Sequence, residues 1–191
     1  MTKPKRPLIY FKNTEEWRNW LHENHHLDDG VELVFYKVDC EEESMRWQEA
    51  VQVAICYGWI DSTVRAIDDK RRKQYFCKRK PNSGWSAINK DYVAHLAEAG
   101  LMHSSGLEAI ETAKQNGAWN LLDDVEKGII PHDLKKAFDE NPKAYTNYLG
   151  FSKGYRKSYL YWLNQAKREE TRKKRITQII ELCEENIKQR S

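Results

Sequence analysis

No apolar run in this chain approaches the roughly 18 residues needed to cross a bilayer, so no membrane-spanning helix is expected. The four cysteines, Cys40, Cys56, Cys77 and Cys183, form no close pair and no metal-ligand spacing. They read as free thiols of a reducing compartment and exclude a disulfide framework. The start, MTKPKRPLIYFKN, is basic but lacks an apolar h-region and a small-residue cleavage site. It is therefore not read as a secretory signal, and a cytoplasmic location is expected. Internal repeats and low-complexity linkers are absent. So are a G-x-S-x-G nucleophile motif and the glycine patterns of phosphate-binding loops and dinucleotide folds. No cofactor is expected.

What is present suits a folded core. Of 191 residues, 40% are hydrophobic and 12% aromatic, which argues against global disorder and allows one domain or two small ones. Charge is unevenly spread. Pro131 to Ser191 carries 14 Lys and Arg against 8 Asp and Glu, while the whole chain nets only +3. The C-terminal part is the basic half, and such a surface either attracts phosphate-bearing partners or is simply solvated.

Periodicity places the elements. Leu8 to Phe11 is a short strand. Asn13 with Glu16 opens a helix through Trp17, Trp20 and Leu21. Val31 to Val38 is a strand apolar on both faces, hence central. Ser44 is expected to cap a helix carrying Trp47, Ala50, Val51, Ala54 and Ile55, stopped at Gly58. Trp59–Ile67 and Lys73–Arg79 form a hairpin around Asp68-Asp69-Lys70-Arg71. A helix with Ile88, Tyr92, Val93 and Leu96 follows. Another opens at Ser105 with Glu108. From Pro131 onward the pattern is helical, with Pro142 at a first helical position behind Asn141. The expected fold is α+β. A small, mostly antiparallel sheet with packed helices fills residues 1–125, and a helical region, 126–191, packs on it.

Two stretches stand out chemically. In a regular strand Trp59, Asp61, Thr63 and Arg65 share one face. An aromatic, a carboxylate, a hydroxyl and a guanidinium there make a polar pocket wall, or else an Asp61–Arg65 contact that orders the sheet. Lys78-Arg79-Lys80-Pro81-Asn82-Ser83-Gly84-Trp85-Ser86 is a basic turn leading into a helix. Free N–H groups and the helix dipole favour an anion there, and Arg79 offers a bidentate grip. The plainer alternative is a helix capped by Ser86 behind an exposed turn.

Other candidates are weaker. His22 and His26 have i,i+4 spacing, but two ligands do not make a metal site. In the tail, Glu169 with Lys173 and Glu170 with Lys174 are favourable i,i+4 pairs that account for part of the charge run. Tyr155, Tyr159, Tyr161 and Trp162 precede that run, at a spacing that fits core packing better than base stacking.

These blocks carry a resemblance. Ala54-Ile-Cys-Tyr-Gly-Trp-Ile-Asp-Ser62 resembles the ALCFGWIDS block of the YdeI/OmpD-associated family, also labelled bacteriocin-protection proteins (OmdA). Arg79-Lys-Pro-Asn-Ser-Gly-Trp-Ser-Ala-Ile-Asn89 resembles that family's R-x-x-x-S-x-W-S-x-x-N block. Gly100-Leu-Met-His-Ser-Ser-Gly106 with Gly117-Ala-Trp119, and Ala166 through Ile176, are similar to two further blocks. The family often has Thr-Pro where this chain has Cys77-Lys78. The resemblance extends over nearly the whole chain and implies a role in stress or antimicrobial-peptide resistance, with no catalytic residue to carry over.

The leading expectation is a binding module for a small anionic ligand. Trp59, Asp61, Arg79, Ser83 and Trp85 form its site, and Lys37 or Arg65 adds charge. Two alternatives differ in class. One is an enzyme using Asp61 as general acid or base. The other is nucleic-acid or protein-partner binding through the basic C-terminal helices.

Overall fold

The computed structural model describes residues 6–189; the first five residues of the basic start lie outside it. The chain divides into two compact units, one running through Asn120 and the other from Leu121.

The first unit runs β1 (Leu8–Tyr10), α1 (Thr14–Asn24), β2 (Val31–Tyr36), α2 (Trp47–Cys56), β3 (Trp59–Ala66), β4 (Arg71–Lys78), α3 (Ala87–Glu98) and α4 (Ser104–Gln115). The sheet order is β1-β2-β4-β3. β1 lies parallel to β2, and the other two pairings are antiparallel. This is the expected α+β arrangement, with β2 in an inner position.

Helix α2 is apolar because it packs centrally. Ala50, Val51, Val53, Ala54, Ile55 and Cys56 are all buried, and α1, α3, α4 and β3 each pack against it. From the sheet, Val31, Leu33, Phe35 and Phe76 are at most 2% exposed and join the same core as Trp17 and Leu21. Burying one such side chain contributes about 1.5–3 kcal/mol. The close contact of α4 with α2 depends on Gly106, where an added Cβ would sit 2.2 Å from the Cys56 carbonyl oxygen.

Local chemistry sets the helix starts. Asn13 caps α1 by accepting from the Glu16 amide at 3.0 Å, and the Glu16 carboxylate accepts from the Lys12 amide at 2.8 Å. Ser44 does not cap α2. Its hydroxyl accepts from the Tyr36 amide at 3.2 Å, and the cap position falls to Arg46. Likewise α4 is capped by His103, two residues ahead of the expected Ser105. Between β3 and β4, the Asp68 carboxylate accepts from the Lys70 and Arg71 amides and the Arg71 guanidinium. That closes the turn as an aspartate-led loop.

The second unit holds α5 (Asp123–Lys127), α6 (His132–Glu140), α7 (Pro142–Gly150), α8 (Lys153–Asn164) and α9 (Glu169–Glu184). Its core includes Leu134, Phe138, Tyr148, Tyr159, Leu163, Ile179 and Cys183. Asp133 and Arg172 tie α6 to α9, with Nη2 to Oδ1 at 2.9 Å. The pairs Glu169–Lys173 and Glu170–Lys174 form at 2.7 Å, as their spacing predicts. No helix among the described residues is long and apolar enough to cross a membrane.

Candidate functional site

Gly58, at φ +73°, turns the chain from α2 into β3. The turn drives Trp59 inward. Its ring is fully buried, with Trp20 at 5.9 Å and Trp17 at 6.4 Å, and its Nε1 donates to the His25 carbonyl at 3.0 Å. Trp85 is 1% exposed. One side of its ring carries the Arg79 guanidinium at 3.7 Å, and the Trp119 ring is 5.0 Å away. Lys90 and Lys114 lie over Trp119 at 5.3 and 5.5 Å. The basic-aromatic block is thus a ladder of cations on rings, in which protein groups already occupy the tryptophan faces.

The β3 alternation does not persist. Asp61 pairs with Phe76, but the next pair is Val64 with Gln74, so Ser62 and Thr63 together oppose Tyr75. This bulge inserts one residue and flips the side-chain alternation. Asp61, Gln74 and Phe76 therefore share the helix-covered face. Arg65, paired with Lys73, points to the other face. The shared Asp61–Arg65 face expected from plain alternation is thereby corrected.

Asp61 is held firmly. Its Oδ2 accepts from Trp47 Nε1 at 3.0 Å and from the Gln74 amide nitrogen. Gln74 is 5% exposed, so this bond satisfies a buried amide. Arg79 is less well served. Its Nη1 reaches Ser83 Oγ at 3.5 Å and the Gly84 carbonyl at 3.3 Å, and its Nε is buried without a partner. Burial pulls the guanidinium down to about 10, and the Asp61 carboxylate opposes that shift.

Where the hairpin runs past the start of α2, the sheet leaves a groove. A cavity of about 480 Å³ is lined by Phe35, Tyr36, Lys37, Val38, Asp39, Met45, Arg46, Trp47, Gln48 and Arg72. Three cations meet one carboxylate there. Among the described residues none of Lys37, Arg46 and Arg72 forms an ion pair. The groove also receives the N-terminus of α2, where the Glu49 carboxylate accepts from the Arg46 amide at 2.6 Å in a capping box. The first amides of a helix have no intrahelical acceptor and present partial positive charge. Phe35 and Met45, 2% and 5% exposed, form an apolar floor. Of the residues singled out in the sequence, Lys37 lines this groove and Asp61 anchors its Trp47 wall. Trp59, Arg79, Ser83 and Trp85 are not among the residues that line it.

A second cluster joins elements far apart in sequence. The His103 ring lies 4.6 Å from His25, 5.8 Å from His22 and 4.9 Å from Tyr57. The Ser105 amide donates to His103 Nδ1 at 3.2 Å. A nitrogen that accepts carries no proton, so this contact selects neutral imidazole. Burial first, then His25 and His22, lower the His103 pKa. Of these histidines the sequence singled out His22 alone, and His103, some 80 residues away, carried no histidine-cluster signal of its own. Among the described residues no group of three His, Cys, Asp or Glu is arranged to hold a metal ion.

Residues 127–186 match the family described as "Bacteriocin-protection, YdeI or OmpD-Associated". That match takes in the C-terminal part alone, a narrower extent than the resemblance of the separate blocks implied. Residues 9–109 match a second family, described as "Domain of unknown function (DUF8412)", which takes in the blocks at 54–62 and 79–89. No curated protein and no solved structure matches the chain. The 9–109 match spans more than half of the sequence, so the chain belongs to the DUF8412 family and carries a YdeI/OmpD-associated segment behind that domain.

Proposed function

We propose that the first unit binds a small anionic ligand in the groove at the start of α2. One observation carries this reading: Lys37, Arg46 and Arg72 have no ion-pair partner among the described residues and line one cavity. An anion there gains charge-assisted hydrogen bonds that the protein itself leaves unmade. In this reading Asp61 is a positioning residue that fixes the Trp47 wall. Arg79, Ser83 and Trp85 hold the neighbouring turn, and Arg65, on the other face of the sheet, takes no part. A link to stress or antimicrobial-peptide resistance belongs to the same proposal, and rests on the wording of the C-terminal family match.

An acid–base role for Asp61 has less support, because its Oδ2 already accepts two side-chain donors. Nucleic-acid binding by the second unit is weakened by the internal pairing of Lys173, Lys174 and Arg172.

The test is calorimetric titration of the full chain with inorganic phosphate, pyrophosphate and citrate. The double variant R46A/R72A should lose at least about tenfold in affinity, because each charge-assisted bond is worth about 1.5–3 kcal/mol. Equal affinity in wild type and double variant would overturn the assignment of the groove.

A further inference from the structure

The seven tryptophans are not equivalent. Trp17, Trp20, Trp59, Trp85 and Trp119 each pack against another aromatic ring, and Trp162 lies beneath Arg175 at 4.9 Å. Trp47 differs. Among the described residues no aromatic ring and no cation lies over its indole, although it is half-buried and lines the cationic groove. Its ring is nonetheless fixed in place, since Nε1 is tied to Asp61, and Asp61 is tied to Gln74. A wall held by its own hydrogen bond loses little freedom when a ligand packs on it.

Size gives an independent argument. A bare phosphate would occupy only a small part of a 480 Å³ cavity, whose volume lies in the range typical of organic-ligand sites. Val38, 79% exposed, adds an apolar rim. Such a site suits a ligand with an anionic group at one end and a flat, apolar-faced ring at the other.

We propose that the groove takes a phosphate-bearing ligand with a planar aromatic ring, of the size of a nucleoside monophosphate. The ring stacks on Trp47, and the phosphate is held by Arg46, Arg72 and Lys37. This inference rests on the anion reading above and specifies its ligand class. Stacking of a base on an aromatic side chain tolerates any base, because each has a π face. No preference among bases is therefore expected.

The experiment titrates the full chain with three probes: adenosine monophosphate, ribose 5-phosphate and inorganic phosphate. Adenosine monophosphate should bind at least about tenfold more tightly than ribose 5-phosphate, the gain expected from one stacked base. Trp47→Leu should erase that difference while phosphate still binds. Trp47→Phe, which keeps a ring but loses the anchoring N–H, should retain part of it. Should the leucine variant fail to fold, saturation transfer from wild-type protein to the adenine protons supplies the readout. Strong transfer to adenine supports stacking, and its absence overturns it. Equal binding of all three probes would overturn the ring proposal and leave the anion reading intact. Binding of none would overturn both.

Discussion

Trp47 Nε1 donates to Asp61 Oδ2 at 3.0 Å, joining the first turn of α2 to the strand residue just before the β3 bulge. The same oxygen accepts from buried Gln74. Removing the carboxylate strands an indole N–H and a buried amide together. Asp61→Ala should therefore cost about 1–3 kcal/mol of unfolding free energy. Asp61→Asn, which keeps a carbonyl acceptor, should cost less. Urea denaturation of the two variants checks this, and equal losses would contradict the assignment.

The His103 cap makes the first unit sensitive to acid. Burial and the neighbouring His25 and His22 hold the His103 pKa below its ordinary 6.5. The folded state then binds fewer protons than the unfolded one, so the contribution of His103 is fully present above pH 6.5. It is lost as pH falls from there through the lowered value. His103→Asn keeps a capping acceptor but cannot titrate. That variant should show a flatter stability profile than wild type as pH falls below 6.5. Superimposable profiles would mean that the cap does not titrate.

Close packing at the junction of α2 and α4 predicts a strong effect of a single methyl. In Gly106→Ala the new Cβ would lie 2.2 Å from the Cys56 carbonyl oxygen and 2.9 Å from that of Ile55. Both contacts are with backbone, so α4 must move away. A loss of about 1–3 kcal/mol, typical of overpacking, is expected on denaturation. Gly150→Ala is the control, because nothing lies within 4 Å of its added Cβ.

The second unit should weaken at high pH. Burial raises both Tyr148 and Cys183 to about 12, from ordinary values of 10.0 and 9.0. The folded unit keeps protons that the unfolded chain releases. Stability is therefore present below about pH 9 and is lost as pH rises toward about 12. Thermal melts at increasing pH should fall more steeply for wild type than for Cys183→Ala. Parallel curves would remove Cys183 from the effect.

Much of the fold was legible because one-dimensional signals fix local structure. The Asn13–Glu16 pattern opens α1, the Trp47-to-Ile55 stripe lies on α2, and both i,i+4 pairs of α9 form. The two missed caps have a different cause. Serines at positions 44 and 105 look like caps in sequence, but Ser44 accepts from the Tyr36 amide and the Ser105 hydroxyl donates to the distant Tyr57 carbonyl, which leaves the α4 cap to His103. The site was less legible. The β3 bulge cannot be read from alternation, and it separates Arg65 from Asp61. Trp59 and Trp85 combine with their neighbours as a ligand wall would, yet both are core residues. Lys37, Arg46, Trp47 and Arg72 come from three separate segments of chain, and only the antiparallel pairing of β2 with β4 and the start of α2 bring them together.

The indole N–H resonances report directly where an anion binds. Titrating ¹⁵N-labelled protein with inorganic phosphate, with the Trp47 signal assigned through Trp47→Phe, should shift the Trp47 indole resonance saturably while those of Trp59 and Trp85 stay in place. Saturable movement of the Trp85 indole with a stationary Trp47 would contradict the account.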